Sequence, residues 1–157
     1  MKKVVLTLLT LLLVMGTKAQ ESQTEYNFLR LPVSAHAAAL GGENITIIED
    51  DPALMFSNPA LASSVSDNTV GLNYMNYMHG ANYMGASYTK ALGEKATIAG
   101  GILYMNYGKM KQVDENNVQT GTFNASDIAL EGIFSYELAR NLVGGITAKF
   151  ITSYIGN

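Results

Sequence analysis

From Asp67 onward the chain alternates with a period of two, as half-buried strands do. The clearest stretch sets Ile128, Leu130, Gly132, Phe134, Tyr136 and Leu138 on one face against Ala129, Glu131, Ile133, Ser135 and Glu137 on the other. The next sets Leu142, Gly144, Ile146, Ala148, Phe150 and Thr152 opposite Val143, Gly145, Thr147, Lys149 and Ile151, which places Lys149 to pair with a carboxylate of the neighbouring strand. Earlier strands are predicted over 69–77, 81–90 and 96–107. The first has Val70, Leu72 and Tyr74 opposite Gly71, Asn73 and Met75; the other two fit either facing. Tight turns at 92–95 and 140–141 lie at one end of this five-stranded antiparallel arrangement, and a turn at 78–80 and a long polar loop over 108–125 lie at the other.

Before Asp67 the period is lost. Tyr26 to Pro32 reads as an extended apolar approach that docks against other structure. Ser34-Ala35-His36-Ala37-Ala38-Ala39-Leu40 is a short helix stopped by Gly41-Gly42. Ile45, Ile47 and Ile48 suggest a brief strand. Asp51 before Pro52 and Asn58 before Pro59 each set a capping residue ahead of a proline, so two short helical turns follow. Turns this short do not stand alone in water. Residues 20–66 are therefore read as a tail and a plug held by the strands of 67–157.

The N-terminus changes the setting. Lys2 and Lys3, the apolar run from Val4 to Met15, and small residues up to Ala19 form a secretory signal peptide over 1–19, cleaved between Ala19 and Gln20. Cleavage takes three of the 10 basic residues and none of the 13 acidic ones, so the net charge moves from -3 to -6. An exported chain without cysteine has neither disulfides nor thiolate metal sites. Scattered Lys and Arg form no basic patch, which excludes nucleic acid as a partner.

No catalytic constellation stands out, and an enzyme is not expected. His36 lies in an alanine run, His79 lies in a turn, and no serine sits in a Gly-x-Ser-x-Gly elbow. Gly41-Gly42, Gly100-Gly101 and Gly144-Gly145 lack the surroundings of a phosphate loop; the latter two lie in strands, where glycine permits bending or close packing. Glu49-Asp50-Asp51 reads as a capping turn rather than a calcium loop. No cofactor or metal is implied.

Two all-β architectures compete, an exported β-sandwich and a transmembrane outer-membrane β-barrel of which these are the first strands. Export, charged residues at only 15%, and Tyr77, Tyr83 and Tyr107 near strand ends, where an aromatic girdle sits, favour the barrel. Five strands cannot close one, so an N-terminal portion of a longer protein is expected.

Asp51-Pro52-Ala53-Leu54-Met55-Phe56-Ser57-Asn58-Pro59-Ala60-Leu61 resembles the Asn-Pro-Ala hatch signature of the FadL-like outer-membrane barrels. Together with Phe28-Leu29-Arg30-Leu31-Pro32 and the alanine-glycine segment before it, this stretch is similar to the start of the PorV/PorQ family of the Bacteroidota type IX secretion machinery. That resemblance implies a plugged barrel in the cell outer membrane, surrounded by its lipid. It would scaffold secretion and surface attachment of cargo together with PorU, PorV and PorZ-like proteins. It gives Asn58, Pro59 and Ala60 structural roles in the hatch. The alternative is a FadL-like channel for hydrophobic molecules such as long-chain fatty acids, its lumen lined in part by Met75 and Met84. Leu61 stands where such transporters commonly carry glycine.

Overall fold

The computed structural model describes residues 26–42, 46–115 and 118–156. The expected signal peptide over 1–19 and its expected Ala19–Gln20 cleavage site lie outside them. The protein is all-β in its main body, an antiparallel meander in which each strand pairs with the next: β1 (Thr69–Asn76), β2 (Asn82–Leu92), β3 (Ala96–Val113), β4 (Gln119–Ala139) and β5 (Leu142–Gly156). The sheet is open, with β1 and β5 at its edges. The turn between β2 and β3 uses Gly93 at φ +72, and the turn between β1 and β2 uses His79 and Gly80 at φ 58 and 82. Such left-handed positions let the chain reverse within a few residues.

Both facings expected for β4 and β5 are observed, and Lys149 does pair with the neighbouring strand, its Nζ standing 3.0 Å from Glu131 Oε1. The expected long loop over 108–125 is instead mostly hairpin. β3 runs to Val113 and β4 starts at Gln119. Polar residues on both sides of a two-stranded ribbon leave no hydrophobic period to read.

Residues 26–42 and 46–66 lie across one face of the sheet, here the covered face; the other is bare among the described residues. Short 3-10 turns at Asn27–Arg30, Pro52–Phe56 and Pro59–Ser64 and one helix, α1 (Ala35–Ala39), make up most of this layer. The Tyr26 to Pro32 approach thus begins as a 3-10 turn rather than as extended chain, driving Phe28 into a cluster with Ala81, Tyr83, Leu103, Met105 and Ala129. Met55 and Ala62 meet Ala99 and Ile133, and Ala37, Leu54 and Leu61 pack within the layer. Full burial of a side chain the size of Phe, Leu or Met contributes about 2 kcal/mol. Ile47 and Ile48 belong to no strand, and Ile45 lies outside the described residues.

Two further expectations are overturned. Tyr77, Tyr83 and Tyr107 do not form an outward girdle: all three pack in the Phe28 cluster on the covered face. The tyrosines exposed near that end are Tyr74 and Tyr154 on the bare face, with the half-buried Tyr104 between them. Met75 points to the covered face, whereas Met84 is exposed on the bare one.

Helix α1 has only five residues and depends on its cap. Ser34 Oγ accepts the Ala37 N–H at 3.2 Å and donates to Asp51 Oδ2 at 2.6 Å, tying the helix to the next turn. Its stop is glycine at both Gly41 and Gly42, and the Gly42 N–H returns to the Ala37 carbonyl at 2.9 Å. Ser34→Ala removes the cap and a charge-assisted hydrogen bond together. We expect a loss of about 2 kcal/mol, measured as a lower urea midpoint with unchanged slope.

Candidate functional site

The predicted hatch residues lie where the N-terminal layer meets the sheet. Asp51-Pro52-Ala53-Leu54 and Asn58-Pro59-Ala60-Leu61 fold alike. Asp51 Oδ1 accepts the Ala53 N–H at 2.8 Å, and Asn58 Oδ1 accepts the Ala60 N–H at 3.1 Å. Each proline then starts a 3-10 turn with its φ already set and no N–H to satisfy. Leu54 and Leu61, one from each repeat, are buried together against Ala37. Asn58, Pro59 and Ala60 thus form the start of the second turn.

The sheet residues beneath them were not anticipated as a set. Four strands each present one glycine to the covered face, and each glycine lies under a residue of the layer. A Cβ at Gly71 would meet Pro52 Cγ at 2.6 Å, one at Gly85 would meet Val33 Cγ1 at 2.9 Å, and one at Gly101 would fall inside the Phe56 ring. At Gly145 it would meet the Ala60 nitrogen and the Pro59 carbonyl carbon at 2.5 Å. The usable signal in the sequence is parity: Gly101 and Gly145 fall on the covered side of their strands, whereas Gly100 and Gly144 fall on the bare side.

Between these sockets the covered face is polar. Ser87, Gly101, Glu131 and Lys149 are successive register partners across β2 to β5, so the Phe56 ring sits on Gly101 between Ser87 and Glu131. The Glu131 side chain is fully buried, and its contact with Lys149 is one of charge rather than a directed hydrogen bond. Tyr107 donates to Asp127 Oδ2 at 2.6 Å, and Thr89 Oγ1 points at Met55 Sδ, 3.8 Å away. A cavity of about 230 Å³ remains between Leu29–Val33 and the sheet, lined also by Phe56, Leu103 and Lys149.

Outside the sheet, Asp50 receives both the backbone N–H and the hydroxyl of Ser66, joining the layer to the start of β1. The Ser66 hydroxyl, and then its N–H, hold this carboxyl below its ordinary value of 3.8. His36 Nδ1 stands 2.8 Å from Glu49 Oε2 at the exposed rim. No group of three or more His, Cys, Asp or Glu suited to a metal occurs among the described residues. The arrangement holds a layer in place.

Two substitutions follow. Gly145→Leu should lift the Pro59 turn and expose residues 26–66 to limited proteolysis, while Gly132→Ala, whose Cβ would meet nothing within 4 Å, should leave the digest unchanged. Lys149→Met strands a buried carboxylate and should cost about 3–5 kcal/mol, whereas Glu131→Gln combined with Lys149→Met should recover most of that loss; urea unfolding followed by circular dichroism reads both. Comparison with known proteins gives no match, whether to a family model, a curated protein or a solved structure.

Proposed function

We propose that this chain is the plug-bearing part of an outer-membrane β-barrel that anchors and scaffolds protein secretion, in the manner of the PorV/PorQ family that residues 26–61 resemble. The observation that carries the membrane part is the bare face. Val70, Leu72, Ile146 and Phe150 are 65, 78, 71 and 67% exposed there. Contiguous exposed apolar surface on this scale marks a lipid or protein contact. The register aligns it in rows: Tyr74, Met84, Tyr104, Ile128 and Thr152; then Leu72, Ala86, Ile102, Leu130 and Phe150; then Val70, Tyr88, Gly100, Gly132 and Ala148. Two more rows, through Phe134 and Tyr136, complete it.

From the Tyr104 row to the Tyr136 row is about 27 Å along the strands at roughly 3.4 Å per residue. A tilt of about 40° turns that into about 20 Å of height, close to the apolar band of roughly 25 Å on outer-membrane barrels. Tyrosines bound the band at both ends, and the inner side is polar, as such barrels require. A soluble sandwich would lay a second sheet over this face, and none occurs among the described residues. Closure takes strands beyond these five, from this chain or another.

Secretion rather than transport is supported by the resemblance of residues 26–61. The chain, expressed in a bacterium with an outer membrane, should fractionate with that membrane and copurify in mild detergent with stoichiometric surface proteins. Recovery of the lone chain with bound long-chain lipid would favour the channel, and recovery as a free periplasmic protein would sink both readings. Leu130→Arg, near the middle of the band, should cost about 2–4 kcal/mol of membrane stability and deplete the chain from the outer-membrane fraction.

A further inference from the structure

Charge is sorted between the two faces of the sheet. Among the described strand residues, the carboxylates Asp127, Glu131 and Glu137 all take the covered-face parity of β4. The bare face carries Lys90 on β2, and two more lysines reach it through an irregularity in β3. Asn106 pairs with Ser126, but the next pair is Lys109 with Asn124, so Tyr107 and Gly108 together stand opposite Ala125. This β-bulge reverses the parity of everything beyond it. Without it Lys109 and Lys111 would take the side of Met105 and Tyr107; with it they share the bare side with Asn124 and Thr122.

The offset is specified locally. Gly108 sits at φ +73, its N–H donates to Asn106 Oδ1 at 2.7 Å, and a Cβ there would meet the Gly80 carbonyl oxygen at 3.3 Å. Glycine is therefore suited to this position twice over, by backbone conformation and by the close approach of Gly80.

The patch that results is polar and concave. Above the Tyr104 row, the register places Asn82, Asn106, Ser126 and Tyr154 in one line on the bare face. With Lys109 and Asn124 they line a single depression. Amide and hydroxyl groups there offer donors, the lysines offer positive charge, and no carboxylate among the described strand residues shares the side. From Ile128, the partner of Tyr104, to Asn124, the partner of Lys109, is four residues, or about 14 Å along a tilted strand. That carries Lys109 out of the hydrocarbon and into the headgroup layer, with a flexible stem able to reach back toward it.

We propose that this patch, built by the Gly108 bulge, binds the phosphate of an anionic lipid headgroup in the leaflet crossed by the β3–β4 end of the sheet. The inference rests on the membrane reading above. Two lysines on a side that no strand carboxylate among the described residues shares complement a phosphate, and a lipid is the partner that a patch continuous with the apolar band meets first.

The test uses the full chain with two vesicle preparations, one of phosphatidylcholine alone and one of phosphatidylcholine mixed with phosphatidylglycerol. Flotation reads association, and native mass spectrometry of the detergent-extracted protein reads which lipid is retained. The expected result is association with both vesicles and preferential retention of phosphatidylglycerol. That preference should fall about fivefold for each lysine removed in Lys109→Gln and Lys111→Gln, and Lys90→Gln, at the opposite end, should keep it. Association with both vesicles but equal retention of the two lipids, or an equal loss in Lys90→Gln, overturns the headgroup site and leaves the membrane reading standing. Failure to associate with either vesicle overturns both.

Discussion

Because Gly71, Gly85, Gly101 and Gly145 have no side chains, Pro52, Val33, Phe56 and Pro59 rest directly on the sheet, and this close approach governs both layers. Three 3-10 turns and a five-residue helix have too few internal hydrogen bonds to persist alone. Seated on the sheet, they bury Phe28, Leu54 and Met55 completely or nearly so. The sheet gains in return, since the layer covers Tyr83, Leu103, Met105 and Ile133 on that face.

That arrangement inverts the usual relation of a half-buried sheet to water. In a soluble domain the apolar side of each strand goes inside and the polar side faces solvent. Here the side that carries Ser87, Thr89, Asp127, Glu131 and Ser135 among its apolar residues is the covered one, and large apolar residues such as Leu72, Ile146 and Phe150 lie on the bare one. Glu131 shows how far this goes: its side chain is buried beside Gly101 and Phe56, compensated by Lys149 from the adjacent strand. Burying an ion pair gains little net stability over an apolar pair, so its location is better explained by the inverted faces than by any need for strength.

The legible parts of the sequence were those where one face alone is apolar. β4 and β5 alternate cleanly because small or polar residues such as Ala129, Ser135 and Thr147 fill their covered side, and the Glu131–Lys149 pair could be read from them. β2 and β3 were ambiguous for a physical reason: Tyr83, Leu103 and Met105 are apolar toward the N-terminal layer, while Tyr104, Ile102 and Met84 are apolar on the other side. Choosing girdle tyrosines by their distance from strand ends therefore picked Tyr77, Tyr83 and Tyr107, where parity with Ile98 and Ile102 would have picked Tyr104. The Asx-Pro-Ala repeat was visible as two capping signals. Its glycine sockets were not, because a socket is defined by two segments that sequence alone does not bring together. The extension of β3 and β4 was hidden too, since a ribbon with water on both sides imposes no alternation.

Whether the N-terminal layer is a fixed plug or a movable hatch turns on what holds it. Phe28 and Met55, the two that pack against sheet residues, at about 2 kcal/mol each give roughly 4 kcal/mol, and the Asp50–Ser66 hydrogen bonds tie the end of the layer to the start of β1. Buried area gives an upper bound, and about 4 kcal/mol corresponds to a bias of roughly a thousandfold. A hatch held that tightly opens only for a ligand that prefers the open state by a comparable factor. The small cavity beneath Leu29 to Val33 offers a hydrophobic solute little contact from which to draw such a preference. A protein partner gripping the rim, where His36, Glu49 and Ser66 are exposed, has far more surface to draw on. The energetics of docking thus favour a layer that stays seated on the sheet.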